Sequence, residues 1–311
     1  MWVIQKNITW LQILVTGGRS LPRILERVAF ATALGVGVTT LHRLHPEYLP
    51  ALTPTPFLLI GLPLGIFLGF RNTAAYDRFW EGRKLWGALV NSSRSLARQV
   101  MTAPAPSLEA APRREAAREV AAFAHALRTR LRDEKPEDAE RLLSAGARDG
   151  WARWSAAGGS APLFVLDALG RRFAEWRVRG VLSDITWLPL EQSLVALTDI
   201  LGACERIKNT PIPYSYTVLM HRIVALYCVL LPLGIADTVK TMTPVVVFFV
   251  SYALFGLDAV GEEIEQPFGH DPNDLPLARL CQVIESDVLR LAAEPVVASN
   301  AEPAVAPDIE M

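Results

Sequence analysis

The sequence is short of charge and of pairable cysteine. Only 20% of its 311 residues are Asp, Glu, Lys or Arg, against about 25% in a typical soluble domain. Cys204, Cys228 and Cys281 are odd in number and far apart. No Cys-X-X-Cys pair or Cys/His cluster exists, so neither a disulfide framework nor a structural zinc site is supported. They read as buried or lipid-facing thiols. A net charge of −1 provides no basic stripe for nucleic acid. No glycine-rich phosphate loop, His-Glu-X-X-His or Gly-X-Ser-X-Gly motif occurs, which argues against an enzyme. Of the five histidines, only His42 and His45 lie close together, and they read as a solvated turn rather than a metal or pH-sensing site. No alternating Val/Ile/Thr run marks a strand. The N-terminus lacks the cleavage site of a secretory signal, and Lys6 and Asn7 interrupt its apolar residues. Residues 1–20 read instead as an amphipathic segment bearing Trp2, Ile4, Ile8, Trp10 and Leu14.

What is abundant is apolar residue, at 51% of the chain. Four stretches carry no charge: Val28–Leu41, Leu49–Phe70, Ile223–Ala236 and Thr241–Leu257. A perpendicular membrane crossing takes about 20 residues. The second stretch meets that alone. The others meet it with amphipathic ends, as in Leu21–Leu44 and Thr217–Ala236, where Arg23 and Arg27 snorkel to the headgroups. A soluble bundle with buried helices is the alternative. Pairing of the stretches through the short connectors His42–Tyr48 and Asp237–Lys240 favours the membrane.

Most of the chain's 31 Lys and Arg fall between Arg71 and Arg222. The basic residues nearest the spans all lie on one side, which is expected to be the cytoplasm and to hold both termini. The expected fold class is an all-α membrane protein. Its divisions are 1–20, amphipathic; 21–80, the first two membrane helices; 81–216, a cytosolic helical region; 217–258, the last two membrane helices; 259–290, a cytosolic segment; and 291–311, a disordered Ala/Pro/Glu-rich tail. The middle region reads as helices over Asp77–Val100 (continuing the second span), Ala110–Arg132, a start at Lys135-Pro136-Glu137, Leu163–Arg179 and Trp187–Ile207.

The second span holds two rows at four-residue spacing. Gly61, Gly65 and Gly69 form a doubled Gly-X-X-X-Gly groove that lets a neighbouring helix approach. Leu62, Ile66 and Phe70 stack on the adjacent stripe. Such a row ordinarily faces lipid or core. Repeated about a symmetry axis, it makes three apolar rings, a constriction that gates by dewetting.

The stretch Gly65–Arg83, with Gly69-Phe70-Arg71-Asn72 at its centre and Asp77-Arg78-Phe79-Trp80 near its end, resembles the signature of the bestrophin ion channels, most closely the bacterial branch. Gly18-Arg19-Ser20-Leu21-Pro22-Arg23, Ile212-Pro213-Tyr214-Ser215-Tyr216 and Glu265-Gln266-Pro267-Phe268-Gly269 match in order. The resemblance spans roughly Trp2–Leu277. It implies a homopentamer around one pore, with four membrane helices per subunit, a neck at Leu62, Ile66 and Phe70, and a cytosolic aperture within Leu182–Thr186, assigned to Ile185. Ordinary core is the other reading of Ile185. Asn72, Arg78 and Trp80 are expected to brace the helix below the neck. The partners implied are further copies of the chain, the lipid bilayer and permeant monovalent ions.

Animal members follow Pro-Phe-Gly with an acidic run that helps bind calcium. Here the run is His270-Asp271-Pro272-Asn273-Asp274, two carboxylates broken by proline. Calcium wants six to eight oxygens, so no cofactor and no calcium activation are expected, although Glu265, Asp271 and Asp274 leave a weak site open. Animal members resemble anion channels, and bacterial relatives resemble cation channels. An apolar neck carries little sign preference, so mouth charges decide. Rings of Asp77 and Asp184 lean the reading toward sodium, with chloride the alternative. Pairing of Asp77 with Arg71 or Arg78 would remove one ring. A secondary transporter would show repeats and broken helices, for which only Pro63 speaks, and a membrane-anchored scaffold would transport nothing.

Overall fold

The computed structural model describes residues 20–48, 53–271 and 273–292. The expected amphipathic segment up to residue 19, the tail from residue 293 and Pro272 lie outside the described residues. Among the described residues every regular element is helical. The helices are α1 (Ser20–Leu44), α2 (Thr55–Thr102), α3 (Ala110–Arg132), α4 (Glu137–Leu142), α5 (Ala145–Ala156), α6 (Ala161–Val178), α7 (Asp184–Asn209), α8 (Tyr214–Val239), α9 (Thr243–Ile264) and α10 (Leu277–Leu291). Single 3-10 turns, Pro46–Tyr48 and Lys240–Met242, follow α1 and α8.

Three stretches are long and apolar enough to cross a membrane: Ile24–Leu44, Thr55–Thr102 and Tyr214–Ile264. The last contains both α8 and α9, which pack against each other. The reversal between them uses Lys240 at φ 52°. The helices outrun their apolar stretches. α8 begins at Tyr214 and α9 continues to Ile264, because the polar residues at these ends find partners inside the structure. α2 runs unbroken for 48 residues, about 72 Å at 1.5 Å per residue. That is more than twice the roughly 30 Å hydrocarbon thickness.

The chain divides into two compact units. The first holds the described residues up to Phe79, with Pro211–Pro267 and Asp271–Asp274. Its core is made by helical stripes: Ile24, Val28 and Ala31 of α1, Leu64 and Leu68 of α2, Met220, Val224, Cys228 and Leu231 of α8, Val247 and Phe255 of α9. Gly35 brings α1 close to α9, since a Cβ there would touch Pro244 Cα at 3.4 Å. Thr32, Thr39 and Ser251 donate their hydroxyls to carbonyls four residues back, at 2.6–2.7 Å, so none needs a partner elsewhere. The outward faces are apolar, with Phe30, Leu58, Ile60 and Phe249 exposed.

The second unit holds Trp80–Thr210, Phe268–His270 and the described residues from Leu275. α3 is its centre and packs against α4, α6, α7 and α10. Ala116, Ala117, Ala121, Ala122 and Ala124 are fully buried, and these small side chains let the surrounding helices close in. α10 answers with Leu277, Cys281, Ile284 and Val288, one buried stripe at helical spacing. Pro136 sits at the N-cap of α4 rather than inside its first turn, and Glu137, Asp138 and Glu140 occupy the positive end of that helix. The sequence reading missed α5, which buries only Trp151 and so carries almost no apolar periodicity.

Candidate pore site

On the membrane half of α2, Leu64, Leu68, Arg71 and Ala75 form the buried stripe. Leu62, Ile66 and Phe70 lie on another face and are 71%, 51% and 64% exposed. Four residues of helix separate successive members by about 6 Å. Three large apolar side chains thus stand in line, each at least half exposed. The glycine row behaves unevenly. A Cβ on Gly61 would meet the Tyr227 hydroxyl at 2.6 Å, whereas Gly65 and Gly69 face open space. Gly61 therefore serves contact within the chain, and only Gly65 and Gly69 leave a groove open to another helix.

Two of the expected bracing residues have visible roles. Asn72 Nδ2 donates to the Leu257 carbonyl at 3.0 Å, and its amide oxygen lies against Gly261, where any side chain would collide. Arg78 Nε donates to the Glu265 carbonyl at 3.1 Å. Both interactions tie the part of α2 just beyond Phe70 to the end of α9. Trp80 is 49% exposed.

The sequence reading did not find the strongest polar feature of this unit. Arg71, buried on α2, places Nη1 2.6 Å from Asp258 Oδ1 of α9 and Nη2 3.8 Å from Glu265. The second oxygen of Asp258 lies 2.6 Å from Nδ1 of His221 on α8. Glu265 also accepts the Ile212 N–H at 3.2 Å. One network thus pins α2, α8 and α9 together. It also corrects the pairing considered for Asp77: Arg71 is committed to Asp258 and Glu265. Asp77 is exposed and has no ion-pair partner among the described residues. The available signal was position, since Arg71 and Asp258 each stand one residue beyond an apolar stretch. Nothing in their spacing says that they meet.

The aperture segment is built by a tight turn between α6 and α7. Gly180 takes φ 70°, a left-handed conformation that a Cβ disfavours, while its N–H and that of Val181 close onto the Arg177 and Trp176 carbonyls. Ser183 caps α7, accepting the Thr186 N–H at 3.2 Å, and Thr186 Oγ1 accepts the Ser183 N–H in return. Ile185, in the first turn of α7, is 85% exposed, which excludes the ordinary-core reading within this chain. Asp184 is not a bare charge. Arg177 holds it at 2.7 Å while lying over the Trp187 ring at 4.6 Å. This pairing offsets part of the charge that Asp184 would bring to a cation-selecting ring.

The acidic residues after α9 also have separate engagements. Asp274 accepts the Asp271 N–H at 2.7 Å, and Glu265 faces Arg71. Among the described residues no three His, Cys, Asp or Glu side chains converge as a metal-binding group.

An all-helical chain with long apolar helices and an exposed apolar row on one of them has the makings of a multi-pass membrane channel. Residues 1–290 match the family described as Bacterial/Fungal Bestrophin protein, and the chain belongs to that family. It is 37% identical over 303 residues to a voltage-dependent anion channel-forming protein of Ralstonia nicotianae, covering 96% of this chain and 97% of that protein. It is also 37% identical to the voltage-dependent anion channel-forming protein YneE of Escherichia coli K12, covering 94% of each. The crystal structure of a bacterial bestrophin homolog from Klebsiella pneumoniae superimposes with a TM-score of 0.80 at 34% identity, covering 88% of this chain and 99% of that one. The chain is thus a bestrophin-like multi-pass membrane channel protein, not an enzyme.

Proposed function

We propose that five copies of this chain surround one pore and conduct small monovalent ions passively through a neck of Leu62, Ile66 and Phe70. The observation that carries the reading is the exposed apolar row on α2. Rings of such side chains hold water out of a narrow passage until it widens. Ile185 is assigned to a second constriction, on its exposure and on the family resemblance. The bacterial inner membrane is the proposed location, with both termini cytoplasmic.

Anions are the proposed permeant class. The relatives named above are called anion channel-forming proteins, and the pairing of Asp184 with Arg177 weakens the case for sodium. Sodium is the second reading, favoured by the exposed Asp77.

The test is a planar-bilayer recording of the purified protein under a sodium chloride gradient. A current reversing near the chloride potential supports anion conduction, and reversal near the sodium potential supports the second reading. Truncating the lowest ring, Phe70→Ala, removes an apolar barrier and should raise unitary conductance several-fold. Unchanged currents in both Phe70→Ala and Ile66→Ala would sink the neck assignment.

A further inference from the structure

The exposed stripe that carries the neck does not end at Phe70. It recurs at steps of three or four residues through Thr73, Asp77, Trp80, Lys84, Ala88, Asn91, Ser95 and Arg98, all exposed. Counted from Leu62 to Arg98, the mean step is about 3.6 residues, the α-helical repeat, so the stripe stays on one face of α2. Trp86, Leu89 and Leu96 on the other side are fully buried. In its upper part the stripe is apolar, and below Phe70 it becomes mostly polar and charged.

Other charges on this helix are committed elsewhere. Glu81 pairs with Arg206, and Arg94 pairs with Asp287 at 2.6 Å. Lys84 and Arg98 have no carboxylate partner among the described residues. The stripe therefore carries one acid, Asp77, and two bases. Along the helix, Asp77 stands about 10 Å beyond Phe70, Lys84 about 21 Å and Arg98 about 42 Å. The screening length at physiological salt is about 8 Å, so Lys84 is not cancelled by Asp77 a full 10 Å away. Like charges lining a confined passage concentrate counter-ions of the opposite sign.

We propose that Lys84, with Arg98 beyond it, is a specificity-determining side chain that lines the ion path below the neck and favours anions over cations. The assignment rests on the pore reading above, since it requires this face of α2 to meet the permeating ion.

The experiment is a bilayer recording of the full-length oligomer under a potassium chloride gradient, comparing wild type, Lys84→Glu and Arg98→Glu. Lys84→Glu should lower the chloride-to-potassium permeability ratio by roughly threefold to tenfold, with a larger shift at low salt than at high salt. Arg98→Glu should act in the same direction. That shift supports the proposal whichever ion the wild type prefers. A conducting Lys84→Glu channel with an unchanged ratio overturns it, and so does loss of the oligomer in Lys84→Glu, which would place this side chain in a subunit contact. Silence of both wild type and Phe70→Ala would overturn the pore reading itself, which separates the two failures. A second measurement uses Lys84→Cys. Cys204, Cys228 and Cys281 are buried, and burial pushes the Cys204 and Cys281 thiols up to about 12, so they react poorly. A cationic thiol reagent should restore the wild-type ratio and an anionic one should lower it further; no response to either overturns the assignment.

Discussion

Both units bury charge between helices, but they surround it differently. In the first, Arg71 and Asp258 are almost wholly enclosed, and the outward faces of their helices are apolar. In the second, Glu119 is fully buried and takes Arg172 at 2.8 Å and Ser144 at 2.7 Å, yet Arg172 keeps 18% exposure and a further partner in Glu115. Nearby, Glu285 holds His125 and Arg141, each at 2.8 Å, and Arg141 is 48% exposed. The number of contacts is similar across the three sites. What differs is the cation's alternative. Arg141 can rejoin water by a rotamer change, Arg172 can do so in part, and Arg71 has nowhere to go. The penalty for losing a partner should follow that order.

The largest effect is expected at Asp258→Ala. An enclosed guanidinium stripped of its carboxylate costs about 3–5 kcal/mol, seen as a large drop in thermal stability in detergent. Replacing both partners, Arg71→Met with Asp258→Leu, should recover most of it, because apolar packing substitutes well for a buried pair. If the double variant is no better than the single one, the network does more than hold helices together. Glu119→Ala should cost less, about 1.5–3 kcal/mol, since it leaves Ser144 and a partly wet Arg172.

Glu285→Gln should cost least, and its effect should depend on pH. Burial raises the pKa of Glu285, but hydrogen bonds from His125 and Arg141, together with their charges, outweigh it and hold the carboxyl below its usual 4.5. The folded state thus releases this proton more readily than the unfolded chain. Its stabilisation is complete above about pH 4.5 and is lost as pH falls through the lower folded value. Denaturation across that range should show a wild-type decline that Glu285→Gln lacks in part. Parallel pH profiles would remove Glu285 from the acid response.

Much of this was legible in the sequence where a pattern is local. Four-residue spacing put Leu62, Ile66 and Phe70 on one stripe, and the absence of breakers after Phe70 foretold a helix running into the charged region. Ala110–Arg132 has the boundaries its helix-forming composition implies. The losses are pairings across long separations. Arg71 and Asp258 are 187 residues apart, and several acids would have served equally on paper. Asp184 and Arg177 are only seven apart, but they meet because Gly180 turns the chain between them, and the turn geometry was not read. The charged stripe beyond Asp77 escaped for another reason: which face of α2 stays exposed below Phe79 depends on where Trp86 and Leu89 find their core.

The unbroken length of α2 makes the chain intolerant of a particular kind of change. Each residue advances the helix by about 100°, so α2 behaves like a reading frame. A substitution alters one word of it. A single deletion between Phe70 and Lys84 changes the phase of everything that follows, taking Trp86 and Lys84 about 100° off the faces they hold relative to Phe70. Insertions of seven residues nearly preserve that phase, and insertions of one do not. Variation in this stretch should therefore come as exchanged letters, with length held constant.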